Sequence, residues 1–97
     1  MITITYRDAE GRREITVDGH ADYAPRGADI VCAGASALCM ALMSALENAG
    51  IDMDYEIRDG YLSVNFSKNN SRDICHTILC GFYEMAQQYP DNITIRS

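Results

Sequence analysis

The chain has 97 residues, enough for one hydrophobic core and too few for two independently stable units. With 47% hydrophobic and 23% charged residues it has an ordinary globular composition, and no stretch is polar or repetitive enough to read as disordered. Eight basic against fourteen acidic side chains give a formal charge of −6 with the basic residues scattered, which argues against direct nucleic-acid binding and suits a basic partner.

At the N-terminus Ile2, Ile4 and Tyr6 alternate with Thr3, Thr5 and Arg7, the period of a half-buried strand. The same stretch lacks the basic start and apolar core of a signal peptide, so a cytoplasmic location is expected, with four free thiols rather than two disulfides. After a turn at Asp8-Ala9-Glu10-Gly11, a second alternating stretch with Ile15 and Val17 on one face runs to Gly19 and completes a hairpin. Residues 21–28 read as a loop. Asp29 then caps a helix from Ile30 to about Asn48, stopped by Ala49-Gly50. Tyr55 and Ile57, followed by Tyr61, Leu62, Val64 and Phe66, predict a second hairpin around Asp59-Gly60, a type I′ turn signal. A second helix is expected from Ser71 or Arg72 to about Gln88, ended by Pro90, and Ile93 and Ile95 mark a last short strand. The order ββαββαβ over a single domain, 1–97, predicts an α+β fold: a mixed or antiparallel sheet with two helices on one or both faces.

The first helix contains no charged residue from Ile30 to Leu46. Val31, Ala35, Leu38, Leu42 and Ala45 line one face, while Cys39, Met40 and Met43 occupy the others. A helix apolar all round is buried on most sides. Seventeen residues rich in Ala, Gly, Ser and Cys are short and weakly hydrophobic for a bilayer, so no membrane association is expected. Burial against the sheet, the second helix and another copy of the chain is expected instead, giving a homodimer with methionines at its interface.

The chemistry centres on His20 and Cys32, twelve residues apart. Cys32 falls in the first turn of the apolar helix, where unpaired N–H groups and the positive end of the macrodipole favour a thiolate. His20 ends a strand, and the loop can return its imidazole to the sulfur, the arrangement used in nucleophilic acyl transfer. The N–H groups of Cys32 and Ala33, free at the helix start, are candidate oxyanion donors. Asp29 has two roles open to it, capping the helix or hydrogen-bonding His20 to fix its tautomer. Ser36, one turn beyond Cys32, either contacts substrate or permits close packing. Gly19 and Gly27 are candidate hinges for a lid formed by residues 21–28. Without further context, a lone histidine and a buried cysteine are ordinarily structural. Cys39, Cys75 and Cys80 read as small core hydrophobes and His76 as a surface or partly buried residue. No C-x-x-C pair exists and Cys75 and Cys80 are five apart, so neither a metal nor a cofactor is expected.

Gly19-His20-Ala21, a loop containing Gly27, and Asp29-Ile30-Val31-Cys32-Ala33-Gly34-Ala35-Ser36 together resemble the ribosomal-processing cysteine protease family called Prp. Beyond this motif the resemblance covers the whole chain in element order and length. It implies a cysteine endopeptidase in which Cys32 is the nucleophile and His20 the general base and acid, with Asp29 and Ser36 on motif positions. It also implies a homodimer, and as substrate the N-terminal extension of large-subunit ribosomal protein twenty-seven. The competing expectation is a non-catalytic acidic homodimer that binds a basic ribosomal protein. A third class is a thiol redox sensor acting through Cys32.

Overall fold

Alternating side chains at the start of the chain form an antiparallel hairpin in which β1 (Ile2–Ala9) pairs with β2 (Arg12–Asp18). The strands run further than the sequence suggests. Asp8 and Ala9, read as turn residues, pair with Arg13 and Arg12, leaving a two-residue turn in which Gly11 takes φ +76°. The computed structural model describes residues 1–25 and 27–96; Arg26, within the 21–28 loop, and Ser97 lie outside the described residues. The remaining elements are α1 (Ile30–Asn48), β3 (Met53–Arg58), β4 (Tyr61–Ser67), α2 (Arg72–Gln88) and β5 (Ile93–Arg96).

The five strands make one sheet in the order β3-β4-β2-β1-β5. Its neighbours are antiparallel except β1 and β5, which run parallel, so the sheet is mixed and the α+β expectation holds. Ile2, Ile4, Ile15, Val64, Phe66 and Ile93 share one face and are buried. Thr3, Thr5, Thr16 and Ser63 share the other, as strand alternation requires. The two helices therefore cover a single face, giving a two-layer molecule with its core between helices and sheet.

Two local expectations are corrected. In the β3–β4 turn only Gly60 takes a positive φ, +69°, whereas a type I′ turn needs one at Asp59 as well. On α1 the buried stripe is Val31, Ala35, Cys39, Leu42 and Leu46. Cys39 and Leu46 thus replace Leu38 and Ala45, and on the opposite face Met40 is 65% exposed in the single chain. α1 is long and apolar enough to cross a membrane by length and composition, but one side of it belongs to the core.

The helices approach closely where a side chain is missing. A β-carbon at Gly81 on α2 would stand 2.7 Å from Leu38 of α1, and one at Gly34 of α1 would stand 3.0 Å from Met85 of α2. Beside Gly81, Phe82 is fully buried. Total stability for a chain this size is about 5–15 kcal/mol. Phe82→Ala should remove roughly 3–5 kcal/mol of it, read as a shift of the urea unfolding midpoint at unchanged slope.

Candidate active site

A loop and the start of α1 converge on the carboxylate of Asp29. Its backbone is extended (φ −85°, ψ 101°), and Oδ1 accepts from the N–H groups of Val31 (3.0 Å) and Cys32 (2.9 Å). Oδ2 accepts from Tyr23 (3.0 Å) and Ala24 (3.3 Å). The Cys32 N–H holds the Asp29 carboxyl below its ordinary pKa, partial desolvation opposes this, and the Tyr23, Ala24 and Val31 N–H groups add to the lowering. Asp29 is thus a helix cap that also ties down the loop, and neither oxygen bonds His20.

Cys32 is half-buried in the first turn of α1, and its Sγ accepts a hydrogen bond from the Ala21 N–H at 3.4 Å. Ala21 is itself buried, and its carbonyl accepts from Asn92 Nδ2 at 2.9 Å. Two residues on, the Tyr23 ring meets Tyr89 edge-on with centroids 5.4 Å apart. The peptide that follows His20 is therefore held from three sides, by Cys32, by Asn92 and, through Tyr23 and Ala24, by Asp29.

The His20 side is anchored equally firmly. Gly19 takes φ +102°, its N–H donates to the Gly60 carbonyl at 2.7 Å, and a β-carbon on it would overlap the Met1 carbonyl oxygen. The expectation of a lid hinged at Gly19 is accordingly corrected: Gly19 is a fixed joint, because close backbone contact removes the freedom a hinge needs. Gly27 takes φ +91° with open space around it. The exposed His20 ring makes no hydrogen bond to Cys32 and rests instead against Gly60. Catalytic hydrogen bonds in free enzymes are commonly long and tighten when substrate binds.

All seven residues singled out from the sequence, Gly19, His20, Gly27, Asp29, Cys32, Ala33 and Ser36, line one cavity of about 850 Å³. Met40, Met43, Ile57 and Leu62 supply an apolar side to it. One chemical assignment is overturned. The Cys32 N–H is spent on Asp29 Oδ1 and the Ala33 N–H on the Asp29 carbonyl (3.1 Å), so neither is a free oxyanion donor. Ala33 and Ser36 remain as small, exposed wall residues. Sequence reasoning missed Ala21, whose contribution is a backbone N–H, and Asn92, whose partner is 71 residues away. It also missed Gly60, which reads as turn chemistry alone.

The other thiols divide differently from expectation. Cys39 is buried on the same cavity, and desolvation pushes its pKa up to about 11, so it stays protonated at neutral pH. Cys75 is buried and shifted upward, mainly by desolvation. Cys80 is exposed rather than part of the core, with Sγ 3.6 Å from Nε2 of the exposed His76. Among the described residues no three His, Cys, Asp or Glu side chains gather as a metal centre would require.

Comparison with known proteins gives one family. The family model described as cysteine protease Prp matches residues 1–94. The ribosomal processing cysteine protease Prp of Staphylococcus aureus is 33% identical over 103 residues, covering 98% of this chain and 97% of the relative. The crystal structure of S. aureus Prp with a covalently linked product peptide superposes with a TM-score of 0.89 at 31% identity, over 99% of this chain and 98% of that one. A second S. aureus Prp structure, in complex with a substrate peptide, gives a TM-score of 0.78 at 29% identity over the full length of both chains.

Asp29→Asn separates the two duties of this carboxylate. Asparagine keeps one acceptor for the helix cap and presents an NH₂ group where Tyr23 and Ala24 need an acceptor. Hydrogen exchange should quicken at the Tyr23 and Ala24 amides and stay slow at Val31 and Cys32. Since the folded pKa lies below the unfolded value of about 3.9, the contribution of Asp29 is complete above that pH. It is lost as pH falls through the depressed value, and the variant should lack that part of the acid-induced decline.

Proposed function

Because the chain belongs to the Prp family of cysteine proteases, we propose that it removes the N-terminal extension of large-subunit ribosomal protein twenty-seven, with Cys32 as nucleophile and His20 as general base and acid. The observation that carries this reading is the shared cavity, which puts the sulfur, the imidazole and an apolar groove within one space.

The chemistry follows from these groups. His20 takes the Cys32 proton, Sγ attacks the scissile carbonyl, and the proton passes to the leaving amine as the carbon–nitrogen bond breaks. Water, deprotonated by the same imidazole, then hydrolyses the thioester and releases the product acid. With the helix-start N–H groups engaged, the Ala21 N–H is the backbone donor already directed at Sγ, and it is the one suited to the developing oxyanion. Asp29 and Gly19 hold the two sides of the site in place, Gly27 leaves open space at the edge of the cavity, and Ala33 and Ser36 keep the wall open to a peptide. An acidic enzyme attracts a basic ribosomal protein and speeds encounter at low salt. The working location is the cytoplasm, where the nucleophilic thiol stays reduced.

The working form is a homodimer. Exposed Met40 on α1 and Ile57 and Tyr55 on β3 leave an apolar surface at the rim of the cavity that a second copy would cover in part by two-fold symmetry, with Met40 and Ile57 still lining the groove. Met40→Glu should reduce the mass seen by light scattering to that of a single chain, and a native protein that is monomeric at micromolar concentration would refute the dimer.

Cleavage of a peptide spanning the extension, followed by mass spectrometry, tests the enzyme. Cys32→Ala and Cys32→Ser should abolish product while leaving the circular dichroism spectrum unchanged. Cys39→Ala, Cys75→Ala and Cys80→Ala should retain cleavage, the two buried positions losing about 1 kcal/mol or more of stability to the vacated volume. Full activity in Cys32→Ala would end the protease assignment for this site.

A further inference from the structure

We infer that Gly60, in the turn between β3 and β4, is a positioning residue for His20: the imidazole rests in the space that any β-carbon at position 60 would occupy. The inference rests on the assignment of His20 as the general base. A β-carbon built at Gly60 stands 2.8 Å from His20 Nε2 and 3.3 Å from both Cδ2 and Cε1, so the whole outer edge of the ring lies over this residue. The Gly60 carbonyl also accepts the Gly19 N–H at 2.7 Å, so the same residue holds the backbone before His20 and supports its side chain. Gly60 lines the cavity that contains Cys32.

A turn glycine is ordinarily explained by its backbone alone, and Gly60 does take φ +69°. Gly11, in the equivalent turn between β1 and β2, provides the comparison. Its φ is +76°, and a β-carbon there would meet nothing within 4 Å. The two positions carry the same conformational requirement, and only Gly60 has an imidazole in the side-chain position. The ring is the mobile partner in that contact, since a side chain swings aside more readily than a hydrogen-bonded turn moves. A residue larger than glycine at position 60 therefore pushes the imidazole off its rest without dismantling the hairpin, and a displacement near 1 Å is enough to cost on the order of 100-fold in rate.

The experiment compares Gly60→Ala, Gly60→Asn and Gly11→Ala in the full chain, with His20→Ala as reference. The readouts are thermal midpoint, kcat and KM on the extension peptide, and the ring NMR signals of His20, with those of His76 as internal control. Both alanine variants should lose similar thermal stability. Gly11→Ala should keep its kcat, whereas Gly60→Ala should lose on the order of 100-fold in kcat with little change in KM, and only its His20 signals should move. Gly60→Asn should recover midpoint, because asparagine tolerates the left-handed region, yet remain slow because it still has a β-carbon. This variant also keeps the test decisive should Gly60→Ala fail to fold. A Gly60 variant that is folded with native kcat, or unmoved His20 signals, overturns the proposal while His20→Ala remains inactive. Native cleavage by His20→Ala overturns the dyad assignment and the role of Gly60 with it.

Discussion

Four backbone N–H groups, two from a loop and two from a helix start, meet on the carboxylate of Asp29, and the geometry of the site depends on that convergence. A helix N-terminus leaves donors without intrahelical partners, and a neighbouring loop has N–H groups of its own to satisfy. One anion with two oxygens answers both needs. Because Cys32 is on the helix side of this junction and Ala21 to Ala24 are on the loop side, the carboxylate sets the distance between the nucleophile and the segment that follows His20. The charge also explains why the position suits Asp better than Ser, which would cap the helix and leave the loop amides unpaired.

A second constraint comes from atoms that are absent. At Gly19 the missing side chain admits the Met1 carbonyl, and at Gly60 it admits the His20 ring. At Gly34 and Gly81 it admits side chains of the facing helix, bringing α1 and α2 together. The first two contacts set where the imidazole begins its work, and the latter two set how the helix bearing Cys32 sits on the core. The cavity is thus bounded by elements that are each fixed by close contact.

Much of this was legible in the residues. Alternation gave the hairpins, and Asp29 before an uncharged run placed the start of α1 at Ile30, as observed. The motif around His20 and Cys32 named seven residues that do share one cavity. What escaped reading has separate causes, partners distant in sequence in one case and local geometry in the others. The lid expected to hinge at Gly19 is pinned by Met1 and Gly60. The N–H groups expected to be free are consumed by Asp29, because a helix cap removes the very donors that make a helix start attractive to an anion. Cys80 was expected inside the core, and it lies outside because the buried stripe of α2 runs through Cys75, Ile78 and Phe82.

The hydrogen bond from Asn92 to the Ala21 carbonyl has a temporal consequence. Asn92 also accepts the Ile2 N–H through its own carbonyl at 2.8 Å, beside the point where β5 joins β1. The peptide between His20 and Cys32 lacks this support until β5 has docked beside β1. Contacts of such long sequence separation form late in folding. A folding chain therefore carries its thiol without a completed site around it until that edge strand docks, and maturation of the site coincides with completion of the sheet.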